Sequence, residues 1–205
     1  MCLFDISFKG LTTLKEVHFS ENITELNCYC NQLTSLEHCP ASVTVLHCGY
    51  NQLTSLKHCP ASVTKLYCSG NQLTSLEHCP VSVTKLDCRN NQLTSLEHCP
   101  ASITYLDCGY NQLISLEHCP ASVTILYFND NPLNNEYNGL SVIEIHNLNR
   151  KKFFQKGLGI VQKMIQNSMA KRIQKKWRWW FYDDLDGEGI SRFCRRVVDE
   201  LNATI

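Results

Sequence analysis

Apolar and polar positions recur along this chain with a period of 20 residues. Each unit places a β-branched residue, then Leu, Cys and Asn, at fixed offsets, as in Val63, Leu66, Cys68 and Asn71. The Leu column is Leu26, Leu46, Leu66, Leu86, Leu106 and Leu126, and the Asn column is Asn31, Asn51, Asn71, Asn91, Asn111 and Asn131. Such a period is typical of a solenoid, because one unit cannot bury its apolar edge without neighbours. The pattern predicts stacked coils in which V-x-x-L-x-C forms one strand of a parallel ladder.

The second half of each unit ends in Cys-Pro and predicts a return segment without a helix. The prolines are Pro40, Pro60, Pro80, Pro100 and Pro120. Proline has no N–H and breaks a helix, so we expect extended or polyproline-like backbone on this convex side. We expect the Asn side chains to bond backbone groups of their own and the neighbouring coil, where the chain leaves the strand.

Charge divides the chain into three parts although its net charge is zero. Residues 1–149 carry six basic and thirteen acidic side chains, residues 150–182 carry ten basic and no acidic ones, and residues 183–205 carry three and six. We therefore predict an N-terminal cap over 1–20, a solenoid over 21–149 and a basic helical segment over 150–205. Leu140, Ile143, Ile145 and Leu148 are expected to complete the last coil.

The repeated unit V-x-x-L-x-C-x-x-N-x-L-x-x-L-x-x-C-P resembles leucine-rich repeats. Residues 21–133 are similar to the 20-residue repeats of bacterial secreted effectors of the YopM and IpaH type, whose return segment L-P-x-L-P corresponds to Leu56-Lys57-His58-Cys59-Pro60. The copies of NQLTSLEHCPASVTKL also resemble leucine-rich-repeat proteins of giant DNA viruses of amoebae, the mimivirus-like group. The resemblance implies an α/β leucine-rich-repeat solenoid with an extended, non-helical convex side and a short C-terminal helical segment. Ligase effectors of this type carry Asp two places after a catalytic Cys, whereas Cys194 is followed by Arg195 and Arg196, so ligase activity is not supported.

Thirteen cysteines occur without the features of a secretory signal peptide or an apolar run long enough to span a membrane. We therefore expect reduced thiols and a cytoplasmic protein, in the host cytoplasm if the source is viral. One column is Cys28, Cys48, Cys68, Cys88 and Cys108, and the other is Cys39, Cys59, Cys79, Cys99 and Cys119. Cys fills apolar slots here, so we interpret both columns as core packing.

A histidine column accompanies the second cysteine column: His38, His58, His78, His98 and His118. Adjacent His and Cys should point to opposite sides, so we predict no metal site and no cofactor. Adventitious transition-metal binding by the His column remains open.

Variation among otherwise constant units indicates which face could bind a partner. The outward strand positions are Glu25, Val45, Lys65, Lys85, Tyr105 and Ile125, and Asn27, His47, Tyr67, Asp87, Asp107 and Tyr127. We predict a partner-binding concave face formed by Lys65, Tyr67, Lys85, Asp87, Arg89, Tyr105, Asp107, Tyr110 and Tyr127, since Tyr and Arg are favoured interface anchors. Neutral drift among duplicated copies is the alternative.

The C-terminal segment has an apolar stripe from Leu158 to Trp180 at helical spacing. Its basic helix is represented by Lys171, Arg172, Lys175, Lys176, Trp177 and Arg178. This pattern is found in targets of calmodulin-like proteins, and Ile173-Gln174 partly matches an IQ motif. Asp184 to Gly189 resembles the start of a calcium loop, but Arg195 stands where a bidentate Glu is needed. Packing of these helices together or onto the solenoid is the simpler interpretation.

The chain lacks recognised catalytic motifs, and its repeated residues are too uniform to form one asymmetric site. We therefore predict a non-enzymatic protein–protein interaction module without a small-molecule substrate, with a host protein as one candidate partner. The alternative is a nucleic-acid or anionic-membrane binder that acts through the basic, aromatic-rich residues 150–182.

Overall fold

The computed structural model describes residues 2–133 and 135–166, with side chains up to residue 159. Two compact units divide the chain, Met1–Arg150 and Lys151–Ile205. The predictions for the basic helix at 171–178 and for the acidic loop that follows lie outside the described residues.

Seven short parallel strands form one sheet in the first unit. They are β1 (Leu3–Asp5), β2 (Glu25–Asn27), β3 (Val45–His47), β4 (Lys65–Tyr67), β5 (Lys85–Asp87), β6 (Tyr105–Asp107) and β7 (Ile125–Tyr127). Their spatial order is their order in sequence, so each strand pairs with its neighbours along the chain. Partners from β2 to β7 are 20 residues apart, as in Leu66 with Leu86. The predicted ladder of stacked coils is confirmed.

Only the central residue of each strand points into the core. Leu66 is fully buried between Lys65 and Tyr67, and the central Leu is buried in every strand from β2 to β7. Three flanking residues, Val45, Asp87 and Asp107, are nearly buried as well. The interior also contains the β-branched residue that precedes each strand, such as Val63, and the first cysteine column, such as Cys68. All of these side chains are fully or almost fully buried. The flanking strand residues form what we call the outer strand face, which comprises the positions of the two variable columns.

The repeated Asn side chains satisfy buried backbone groups where each chain segment leaves its strand. Asn71 Nδ2 donates hydrogen bonds of 3.0 Å to the carbonyls of Cys48 and Cys68, and its Oδ1 accepts one of 2.9 Å from the N–H of Leu53. These bonds join two coils, and they pair the Leu53 N–H, which would otherwise be buried without a partner at a cost in free energy. Each of the two carbonyls also accepts a bond from the Asn of an adjacent coil or of its own coil, Asn51 for Cys48 and Asn91 for Cys68. The predicted role of Asn is confirmed, and we call these residues the Asn ladder.

Two further polar ladders were not singled out from the sequence. Ser82 Oγ donates to the carbonyls of Ala61 and Val63 in the preceding coil, both at 2.7 Å. Thr84 donates its N–H to the carbonyl of Thr64 at 2.9 Å. The signal in the sequence was the recurrence of Ser-Val-Thr, or Ser-Ile-Thr, in successive repeats. Apolar packing alone would require only the middle residue to stay constant.

The return side contains no helix, as predicted, and each return segment has two successive turns. In the coil of β4 the N–H of Cys59 donates to the carbonyl of Leu56, and that of Val63 donates to Pro60. His58 lies in the first turn with φ of 68°, a left-handed conformation in which His is tolerated better than most residues. All five histidines of the column are exposed, whereas the adjacent cysteines are buried or half-buried, as expected.

Residues of the predicted N-terminal cap contribute the first coil of the sheet. β1 pairs with β2 at an offset of 22 residues, so Phe4 lies in register with Leu26. The Phe4 ring packs against Phe19 with centroids 5.3 Å apart, and Leu14 is almost fully buried. Aromatic packing thus replaces the regular repeat at this end.

Residues 142–149 do not complete a coil, contrary to the expectation from sequence. They begin helix α1 (Val142–Gln166). Ser141 and Glu144 form a capping box: Ser141 N donates to Glu144 Oε2 at 2.8 Å, and Glu144 N donates to Ser141 Oγ at 3.3 Å. The S-x-x-E signature was present in the sequence, but the apolar spacing there suits either a coil or a helix.

The last coil is covered by a 3₁₀ helix (Asn135–Tyr137) and the start of α1. Tyr137 is fully buried, with its hydroxyl 2.9 Å from Ser115 Oγ, and Ile145 is also fully buried. His146 Nε2 lies 2.9 Å from the Val123 carbonyl, and Asn149 donates to the Leu116 carbonyl at 2.7 Å. These contacts shield the apolar end that a solenoid must protect.

Candidate partner-binding face

Side chains on the outer strand face contact one another from coil to coil. His47 Nε2 lies 3.1 Å from Glu25 Oε1 on the preceding strand. On the other side its ring stacks on Tyr67, with centroids 4.5 Å apart and planes inclined by 4°. His47 and Tyr67 are register partners on strands about 4.8 Å apart. Glu25 lies diagonally across from His47, whose own register partner on β2 is Asn27.

Lys85 continues this row into the next coils. Its Nζ lies 5.5 Å from the centroid of the Tyr67 ring and 4.5 Å from that of Tyr105. Tyr105 in turn packs against Tyr127, with centroids 5.8 Å apart. Both Lys85 contacts are within the range of cation–π attraction, which favours one position of a long, flexible side chain.

A second cluster lies beside this row on β5 and β6. Arg89 Nη2 lies 2.9 Å from Asp87 Oδ2, and Arg89 Nε lies 3.4 Å from Asp107 Oδ2 on the next coil. The carboxylate side chains are 12% and 10% exposed, whereas that of Arg89 is 47% exposed. The two acidic groups are therefore covered, and the guanidinium faces solvent.

The titration behaviour follows from this arrangement. Burial raises the pKa of Asp107 above its ordinary value, against the opposing effect of a hydrogen bond from the Gly109 N–H. The hydrogen bond with Asp87 raises the pKa of Arg89, so this residue remains charged. Burial, aided by Asp107, raises the pKa of Tyr105. Its hydroxyl therefore remains protonated at neutral pH and can act as a hydrogen-bond donor.

The structure brings together most of the residues predicted for the binding face. Lys65 is exposed and Tyr127 is half exposed on the outer strand face, while Asp87 and Asp107 are nearly buried there. Tyr110 lies outside the strands, in the turn that follows β6, where a hydrogen bond to Asp130 raises its pKa.

Sequence reasoning omitted Glu25 and His47 from the candidate site. Both stand in the variable columns, and their contact runs diagonally between β2 and β3, not between register partners. The signal in the sequence was an acidic residue and a histidine 22 positions apart.

A separate aromatic row lies in the turns that follow the first strands. Tyr29 packs against Phe8 at 5.7 Å and against Tyr50 at 5.2 Å between ring centroids. Gly70, with φ of 65°, makes room for Tyr50, because a Cβ there would lie 3.1 Å from that ring. Phe8 is 70% exposed, and this row is distinct from the outer strand face.

The repeated cysteines serve the interior. All those in the described part of the chain are free thiols, and burial raises the pKa of Cys28 and Cys79 to about 12. Such thiols are protonated at neutral pH and are poor nucleophiles and poor metal ligands. Among the described residues, no three His, Cys, Asp or Glu side chains are grouped closely enough to hold a metal ion. None of the helices in that part is both long and apolar enough to cross a membrane.

Comparison with known proteins finds a structural likeness. No family model matches the chain, and no match is found among curated proteins. Among solved structures, YopM from Yersinia enterocolitica WA-314 is similar, with a TM-score of 0.51 and 31% sequence identity. The likeness covers 57% of this chain and 26% of that chain, so it spans about a quarter of the YopM structure. Together with the parallel ladder and the non-helical return side, it shows that the repeats fold as a leucine-rich-repeat solenoid.

Proposed function

We propose that this protein is a non-enzymatic protein–protein interaction module that binds its partner on the outer strand face, the side predicted from sequence to be concave. The supporting observation is the continuous row of contacts Glu25, His47, Tyr67, Lys85, Tyr105 and Tyr127 across β2 to β7. Drift on a solvated face would not require variable positions of successive coils to complement one another.

The composition of this row suits a protein interface. Tyr occupies three of its positions, and Tyr buries a large area and offers a hydroxyl group, so it is a common interface anchor. Arg89, another favoured residue type, lies beside the row. Stacking of Tyr67 on His47 and the placement of Lys85 between two rings restrict these side chains before binding. These side chains then lose less conformational entropy when a partner binds them.

The interior chemistry favours binding over catalysis. The thiols of the two cysteine columns are held in the core with raised pKa values. The polar ladders are occupied by backbone hydrogen bonds that hold the coils together. The side chains left for recognition are those of the surface.

A pull-down from lysate with the full chain tests this function. Lys65→Ala combined with Tyr127→Ala removes two accessible outer-face side chains without disturbing the Arg89 cluster. The matched control combines Lys57→Ala with Val81→Ala, which changes exposed residues of the return side. We expect the control to retain the captured protein and the outer-face variant to lose it. Equal capture by both variants would refute binding on the outer strand face.

Nucleic-acid or anionic-membrane binding through residues 150–182 is a second proposed function, supported by ten cationic residues without an acidic one. The described start of this segment lies on α1, where Lys151 and Phe153 are exposed. Residues 167–182 of the segment lie outside the described part, including Lys171, Arg172, Lys175, Lys176, Trp177 and Arg178. Salt-sensitive binding of a DNA oligonucleotide or of phosphatidylserine vesicles, lost on Lys171→Gln with Lys175→Gln, would support it. Binding unchanged by those substitutions would refute it.

A further inference from the structure

The charges that reach solvent at the centre of the outer strand face are cationic. Lys65 is exposed, Arg89 has a side chain that is 47% exposed, and Lys85 is half-buried between two tyrosine rings. The neighbouring acidic groups, Asp87 and Asp107, are covered and already paired with Arg89. The first unit as a whole carries an excess of acidic residues, so this central cluster differs in sign from its surroundings.

Each of these cations retains capacity to bind a ligand. The Lys65 side chain has no hydrogen bond, ion pair or ring contact with any residue that the structure describes, and only its backbone is bonded in the sheet. Arg89 uses Nε and Nη2 for Asp87 and Asp107, while its Nη1 makes no bond to a described residue. Lys85 engages only ring faces, which leaves its N–H donors available for an acceptor.

We propose that the outer strand face recognises an acidic segment of a protein partner, whose carboxylates bind Lys65, Lys85 and Arg89 beside the hydroxyl of Tyr105. This inference rests on the proposed function and specifies its partner. Charge-assisted hydrogen bonds to carboxylates are stronger than neutral ones. The raised pKa of Tyr105 keeps its hydroxyl available as a donor.

A peptide fits this surface better than a nucleic acid does. The three cations and Tyr105 together span β4 to β6, two strand spacings of about 4.8 Å each, which matches about three residues of an extended peptide. A longer polyanion would extend over the acidic remainder of the first unit and be repelled by it. A short acidic segment can place its charges on the cluster alone.

The test uses the full chain and three fluorescent peptides of about eight residues, in which Ala alternates with Glu, Gln or Lys. Fluorescence anisotropy should show the Glu peptide binding most tightly, with an affinity that falls several-fold between about 50 and 300 mM salt. Lys65→Gln combined with Lys85→Gln should weaken it by about tenfold. Two matched controls should retain binding: Lys57→Gln on the return side, and Lys175→Gln with Lys176→Gln in the basic segment.

The outcomes separate this inference from the proposed function. Loss of Glu-peptide binding in the basic-segment control, with no change in the Lys65 and Lys85 variant, would overturn the inference. Equal affinity for the Glu and Gln peptides, or tighter binding of a (dT)₈ oligonucleotide that depends on the same lysines, would also overturn it. If the pull-down still depended on Lys65 and Tyr127, the outer strand face would stand as the binding site for a partner of other chemistry. Circular dichroism of each variant establishes that it is folded, and Lys65→Gln alone should show a weaker effect of the same sign.

Discussion

Arg89 is bonded to the carboxylate of Asp107, on the next coil, with 3.4 Å between Nε and Oδ2. It also bonds Asp87 on its own coil at 2.9 Å, so one exposed cation serves two nearly buried anions. The arrangement crosses the boundary between two repeats that are also joined by the Asn ladder, the Ser side chains and the core. One side chain thus balances two charges and adds a contact between coils.

Arg89→Met should lower the free energy of unfolding by about 1 kcal/mol at pH 7, a modest loss because the guanidinium is half exposed and screened by water. Without the cation the Asp107 carboxylate, whose pKa burial already raises, is harder to ionise, so the loss exists above the titration range of Asp107 and disappears at acidic pH as Asp107 becomes protonated. Urea unfolding at pH 7 and at acidic pH measures this. In an Asp107→Asn background the same substitution should cost less. An equal loss in both backgrounds and at both pH values would contradict this coupling.

Asn71→Ala should lower the free energy of unfolding by about 1–3 kcal/mol, because it leaves the Leu53 N–H buried without its partner. The Cys48 and Cys68 carbonyls each lose one of two donors and keep the other, Asn51 and Asn91 respectively. Chemical denaturation measures the change. Asn131→Ala is the matched control, since Asn131 makes equivalent bonds at the half-buried end of the ladder and should cost less. Equal costs at the two positions would mean that burial does not set the value of these bonds.

Alkaline pH should destabilise the solenoid steeply. Burial raises the pKa of Cys28, Cys39, Cys79 and Cys119 to about 12, and raises that of the other cysteines in the two columns as well. Thiols of the unfolded chain lose their protons above about pH 8.5, while the folded chain retains them. The unfolded state is therefore favoured as pH rises, by up to about 1.4 kcal/mol per pH unit for each thiol.

With two columns of such thiols, the slope is large enough to remove a typical stability of about 5–15 kcal/mol within one to two pH units. Urea midpoints between pH 7 and about pH 10.5 check this. Cys2→Ser should leave the slope unchanged, because Cys2 is exposed. A midpoint that stays constant over that range would rule out the protonated thiol core.

Tyr137→Ala should destabilise the last coil by about 3–5 kcal/mol, because it removes a fully buried ring from the end of the solenoid. Tyr137→Phe keeps the ring and removes the hydroxyl that bonds Ser115, so it should cost about 1 kcal/mol. Thermal unfolding of both variants compares the two effects. Similar melting temperatures for the Ala variant and the wild type would show that Tyr137 does not seal this end.

The sequence predicted which residues of each repeat form the core. Leu66 and Cys68 recur in every full repeat, and stacking of identical units leaves only one face on which such residues can be buried. The same constancy predicted the Asn ladder, because a polar residue repeated beside a core must satisfy the backbone of adjacent coils. The ends were harder, since Val142–Leu148 has apolar spacing that suits a coil as well as a helix, and packing of Tyr137 and Ile145 on the last coil favours the helix.

The repeat by itself thus determined the solenoid, its register and its interior, because a strict period imposes the same contacts on every coil. Tertiary structure decided how the variable residues combine. His47 finds Glu25 and Tyr67, Lys85 lies between two rings, and Arg89 covers two aspartates, since strand pairing brings residues about 20 positions apart within side-chain reach. These contacts depend on side-chain length and direction across strands, which a list of variable positions does not specify.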